Sequence, residues 1–180
     1  MRYGRVFAAA PILAFVLTLG CNTQTKSPDV SGQVRQGLDQ AGLSDVHVSQ
    51  DRDKGVITLT GNVASDQDKS KAESVAKANA AGQVIANEIG VRPKDDSGDA
   101  RKVDSDLDSG IDKNLDAMLV QHKLNHAVRY DVKNGVVTLK GDLPSSGQRD
   151  SVQQLAQNVP NVKQVVNEIE VKNQKATSSK

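Results

Sequence analysis

Aromatic residues are nearly missing from this chain of 180 residues: it has no Trp, two Tyr and two Phe. Tyr3, Phe7 and Phe15 all lie in the first fifteen positions, so beyond residue 20 Tyr130 is the one aromatic and Met118 the one methionine. A ligand pocket lined by rings is therefore excluded, as is a stacking platform for single-stranded nucleic acid. Any core must be built from Val, Leu, Ile and Ala. Cysteine is limited to Cys21, so no internal disulfide can form. Charge of one sign is lacking too. Residues 30–94 carry eight basic and eight acidic side chains, and residues 107–173 carry eight of each. General binding to a phosphate backbone is not expected from such a balance.

Catalytic motifs are equally scarce. There is no G-x-S-x-G, no P-loop and no G-x-G-x-x-G. His122 and His126 stand four apart near a helix end, but with no Glu after His122 and no evident third ligand. The aspartates at 95, 96, 99, 104 and 106 lack the glycine turn and closing Glu of a calcium loop. The expectation is a non-enzymatic protein with no metal and no cofactor.

What is present begins at the N-terminus. Arg2 and Arg5 precede an uncharged run from Val6 to Leu19, then Gly20-Cys21, then a polar stretch. A positive start, an apolar middle and a small residue at the cut describe an export signal over residues 1–20. The run is shorter than the roughly 20 residues of a spanning helix, and Pro11 interrupts it. A lone cysteine directly after the cut is the pattern of lipid attachment at Cys21. Thr18-Leu19-Gly20 places leucine one position away from its usual place in a lipobox. The expected location is the periplasm, held by lipid. Asn22 after the cysteine is not an inner-membrane retention Asp, which favours the outer membrane.

The remainder is a tandem repeat. Gly55-Val-Ile-Thr-Leu-Thr-Gly61 matches Gly135-Val-Val-Thr-Leu-Lys-Gly141, and Asn87-Glu-Ile-Gly-Val91 matches Asn167-Glu-Ile-Glu-Val171. Residues 55–91 and 135–171 align without gaps at an offset of 80, with 11 identities in 37 positions. Each copy reads α-β-β-α-β. Val30, Val34 and Leu38, then Ile111, Leu115 and Leu119, form stripes at helical spacing. Asp53-Lys54-Gly55 and Lys133-Asn134-Gly135 mark hairpin turns. Ile57, Leu59 and Val63, like Val137, Leu139 and Leu143, share one strand face. Gly61 and Gly141 fall on that inward parity, suggesting a bulge or a close approach by the next helix. Ser65 with Asp68, and Ser145 with Gln148, have the spacing of capping boxes that open a second helix. Asn87 and Asn167 fall inward on the last strand and should bond to neighbouring backbone. The fold class is thus α+β: two tandem αββαβ domains, each a three-stranded mixed sheet packed against two helices. The expected boundaries are a tether at 21–29, domains at 26–94 and 104–173, a linker at 95–103 and a disordered tail at 174–180.

A first helix, Gly-Val-[Val/Ile]-Thr-Leu-x-Gly, a second helix with an Ala/Val/Leu stripe and a closing Asn-x-Ile-x-Val resemble the BON domain, here over nearly all of the exported chain. A signal, a lipidated cysteine and two such domains are similar to dual-BON lipoproteins of the DolP type. That resemblance implies a non-enzymatic envelope module that binds phospholipid and supports envelope integrity. The alternative it implies is a periplasmic stress chaperone or protein-interaction module of the OsmY kind. Expected partners are an anionic phospholipid membrane, envelope proteins or unfolded clients, and no nucleic acid. The candidate membrane contact is the first helix of the second copy, where Lys113, Met118, Val120, His122 and Lys123 lie near the core stripe.

Overall fold

A computed structural model describes residues 26–92, 97–171 and 177–179, with side chains for 26–92 and 102–171. Both repeats fold as expected. The first runs α1 (Ser31–Gln40), β1 (Val46–Asp51), β2 (Val56–Val63), α2 (Asp66–Asn79), β3 (Val84–Asn87) and β4 (Gly90–Val91). The second runs α3 (Ser97–Gln121), β5 (Val128–Lys133), β6 (Val136–Gly141), α4 (Ser146–Gln157) and β7 (Gln164–Asn167), followed by β8 (Thr177–Ser179).

Each sheet is mixed. β1 and β5 pair antiparallel with β2 and β6, while β3 and β7 pair parallel with those same central strands. Glu88 and Ile89 interrupt the last strand of the first repeat before β4 resumes beside β2. The second repeat keeps only a bridge at that point, between Asp142 and Glu170. Alternation along β2 and β6 sends Ile57, Leu59 and Val63, or Val137, Leu139 and Leu143, under the helices, where all are buried. They meet Val34, Leu38, Ala72 and Ala76 in the first domain. In the second they meet Ile111, Leu115, Leu119, Val152 and Ala156.

The hairpins differ in their turns. Asn134 and Gly135 have φ of 50° and 79°, the pair of positive values that a two-residue type I′ turn requires. The first hairpin needs four residues, 52–55, between its strands. There the Asp51 carboxylate accepts from the amides of Asp53 and Lys54. Both second helices open as expected, with Ser65 accepting from the Asp68 amide and Ser145 from the Gln148 amide. Helix α1 uses a remote cap: the Gln50 side chain on β1 accepts from the amides of Val30 and Ser31.

Three expectations change in detail. The linker at 95–103 is largely helical, because α3 begins at Ser97. No proline follows Pro93 in this stretch, and aspartates near a helix start complement its dipole. Within the tail at 174–180, Thr177–Ser179 pairs antiparallel with β7, using backbone groups that would otherwise form an open sheet edge. The glycines on β2 and β6 do meet a close backbone approach, but not from a helix. Gly61 has φ of 114° and Gly141 of 140°. A Cβ at either would run into the carbonyl oxygen of the residue leading into the partner strand, Asp45 or Ala127.

Gly141→Ala should therefore lower stability by roughly 1–3 kcal/mol in urea unfolding, since strain at a positive φ has that scale. Gly110→Ala is the internal comparison. That glycine lies in α3 with open space around the added carbon, so the change should raise stability by up to about 1 kcal/mol.

Candidate functional site

Strand alternation leaves each sheet a second face. Val56, Ala86, Val136 and Val166 point away from the helices and join in one buried cluster, with Val84 beside it. Val56 and Val136 are equivalent in the repeat, as are Ala86 and Val166. The two domains are thus docked sheet to sheet through the same surface of each copy. The layers run helices, sheet, sheet, helices. Thr138, on this face, is only 6% exposed.

Gln164 ties the sheets together. Its side-chain oxygen accepts from the Asn87 amide at 3.1 Å, and its side-chain nitrogen donates to the Ile85 carbonyl at 2.7 Å. A primary amide thereby supplies the free edge of β3 with what a neighbouring strand would supply. The repeat has Val84 at the equivalent position, so the signal in the sequence was a polar residue opening an otherwise apolar strand. Around this contact the Asn134 side chain donates to the Glu88 carbonyl at 2.7 Å, and Lys133 pairs with the Glu88 carboxylate at 3.4 Å. Lys54 pairs with Glu170 across the same boundary.

The two asparagines shared by the repeats bond to both backbone and side-chain groups. Asn167 is fully buried. It donates to the Gln153 side chain at 3.1 Å and to the Arg149 carbonyl at 3.3 Å, and it accepts from the Ile169 amide at 3.2 Å. Asn87 makes the corresponding bonds to Glu73, Lys69 and Ile89. Each asparagine fastens its second helix to the point where the last strand bends. Gly55 and Gly135 sit in the hairpin turns at φ of 71° and 79°. Their carbonyls accept the amides of Val84 and of Lys163.

The five candidate membrane residues do not form one patch. Lys113 and Val120 lie two turns apart on the exposed side of α3, with Val120 51% exposed. Met118 instead turns toward the domain, half-buried against its core. His122 and Lys123 are exposed in the turn just beyond α3, where Lys123 has φ of 58°. Cys21 lies outside the described residues. Among the described helices none is long and apolar enough to cross a membrane.

A cleft of about 610 Å³ lies between α3 and β5, lined by Asp104, Asp108, Asp112, Tyr130 and Lys133 among others, with Arg92 at its border. Two of its lining residues, Asp108 and Tyr130, are held by structural bonds. The Asp108 carboxylate accepts from the amides of Asn134 and Gly135, both at 2.8 Å. The Tyr130 hydroxyl donates to the Asp112 carbonyl at 3.1 Å. Burial, with the nearby Asp112 and Asp116 carboxylates, pushes the Tyr130 hydroxyl up to about 12. This wall therefore braces the hairpin of the second domain.

The two αββαβ units coincide with two matches to one family. The BON domain matches residues 27–93 and again 104–173. The chain belongs to the BON domain family and carries the domain twice. The family is linked to membrane or envelope association and is generally non-enzymatic. A relative from Anaplasma centrale, the "uncharacterized protein in gshII 5′ region", is 32% identical over 124 residues, covering 68% of this chain and 80% of its own. Among solved structures, CdsD, a structural protein of the type III secretion system of Chlamydia trachomatis, aligns with 15% identity and a TM-score of 0.35, over 80% of this chain and 92% of that one. Its C-terminal domain aligns with 14% identity and a TM-score of 0.32, over 78% and 63%.

Gln164→Ala would leave the Asn87 amide and the Ile85 carbonyl without partners, a loss of about 1–3 kcal/mol for a buried group. Hydrogen exchange should read this as roughly tenfold or faster exchange at the Asn87 amide, with the folds of both domains retained.

Proposed function

We propose that this protein is a non-enzymatic envelope component, anchored by lipid at Cys21, whose BON domains make a second and weaker contact with an anionic phospholipid membrane. The reading draws on the export pattern of residues 1–20, the lone cysteine behind it and the family's link to membranes. Two or more acyl chains anchor firmly, since each buried CH₂ contributes about 0.8 kcal/mol. The periplasmic side of the outer membrane is the proposed location.

One observation carries the second contact. Among the described residues, the two large hydrophobics left exposed are Val103 at 56% and Val120 at 51%, and both are on α3. Lys113 and Lys123, both exposed, flank Val120 along the chain. A helix that lies in an interface needs apolar side chains to insert and cations to meet lipid phosphate. Met118 does not belong to this contact, because it fills the side of α3 that faces the core.

Sedimentation of residues 22–180 with vesicles tests the reading without the acyl chains. Selective pelleting with anionic over zwitterionic vesicles is expected. It should fall severalfold in Lys113→Ala/Val120→Ser/Lys123→Ala, with the melting temperature unchanged. Pelleting that survives these changes would move the contact away from α3. No pelleting would leave Cys21 as the membrane link and favour a tethered chaperone or protein-interaction module.

A further inference from the structure

At the rim of the interface between the sheets lie two carboxylates that take no part in the helical cores or in the proposed membrane contact. Glu88 and Glu168 are equivalent in the repeat, each just past the end of β3 or β7. Both side chains are only 12% exposed. They do not have a cation each at close range. Lys133 lies 3.4 Å from Glu88, whereas Lys140 is 4.0 Å from Glu168. The charged groups facing Glu88 are Lys133 and Asp131 from β5 and Lys140 from β6. Those facing Glu168 are Lys140 from β6, Asp51 from β1, Lys54 from the first turn, and Glu88 itself. Lys140 thus serves both glutamates, and Asp131 and Asp51 add to the negative side.

We propose that docking of the two domains is linked to proton uptake, with Glu88 and Glu168 as the groups that gain protons when the sheets close. The interface buries both carboxylates and brings them toward each other and toward Asp51 and Asp131. Separation returns them to water. Burial is the largest influence on each and holds its carboxyl above the ordinary range, outweighing the attraction of the lysines. The sign follows from this direction. A carboxyl that binds its proton more tightly in the docked state favours docking most at or below its ordinary value of 4.5. That contribution is lost as pH rises through the raised value. Acid closes the pair and alkali loosens it, so the contact between the domains is a switch built from the duplicated glutamate. This inference rests on the docked sheets and is independent of the membrane reading.

Resonance energy transfer tests it in the full exported chain carrying Cys21→Ser, with dyes at Ser74→Cys on α2 and Gln154→Cys on α4. Both positions are exposed on the outer helices. Transfer should be highest near pH 4.5 and fall toward pH 7.5, with the docking constant changing by at most about tenfold per pH unit for each carboxyl that titrates. Glu88→Gln/Glu168→Gln should hold transfer high and flat across that range. Glu170→Gln removes an exposed carboxylate at the same boundary and should leave the wild-type slope intact. If circular dichroism shows the double variant unfolded, Glu168→Gln alone is read, with a reduced slope expected. A flat wild-type profile would overturn the proposal. So would an unchanged slope in the glutamine variants.

Discussion

The architecture depends on the burial of Val56, Ala86, Val136 and Val166 between two sheets. A domain of about this size has a small core and buries a modest share of its surface. Covering the second face of each sheet removes that weakness for both copies together. The surface is apolar only at its centre, which is why it must be closed by specific polar contacts at its edge. Gln164 does this with both ends of its amide. Lys54 and Asn134 add contacts around the rim.

Duplication explains how one surface came to serve both partners. Val56 and Val136, Ala86 and Val166, and Glu88 and Glu168 occupy matching positions, so the contact has approximate two-fold character. The copies differ where symmetry would be a liability. Val84 stands where the second copy has Gln164, and Gly90 where it has Glu170, which meets Lys54. A self-complementary patch is thereby directed toward the other half of the same chain. Within each copy, a buried asparagine replaces the regularity lost where the last strand bends.

Much of the fold was legible. Apolar spacing, the Asn134-Gly135 turn and the serine caps are local signals, and local signals are read directly from sequence. Docking was not legible, because Val56 and Thr58 look the same whether their face meets water or another sheet. The extension of α3 to Ser97 was hidden by Asp and Ser, which are as common in loops as in first helical turns. The role of Gln164 depends on a partner strand 79 residues away. On α3, spacing alone could not separate Met118 on the inner side from Val120 on the outer side.

The exposed surfaces follow from the same arrangement. With both sheets covered on both faces, the helices are the outer layers, and α3 carries the exposed Val103 and Val120. The central claim is the sheet-to-sheet contact. Methyl-to-methyl nuclear Overhauser effects in residues 22–180 test it most directly. The account predicts cross-peaks joining Val56 and Ala86 to Val136 and Val166. Their absence, in a chain whose two helical cores give their own cross-peaks, would contradict it.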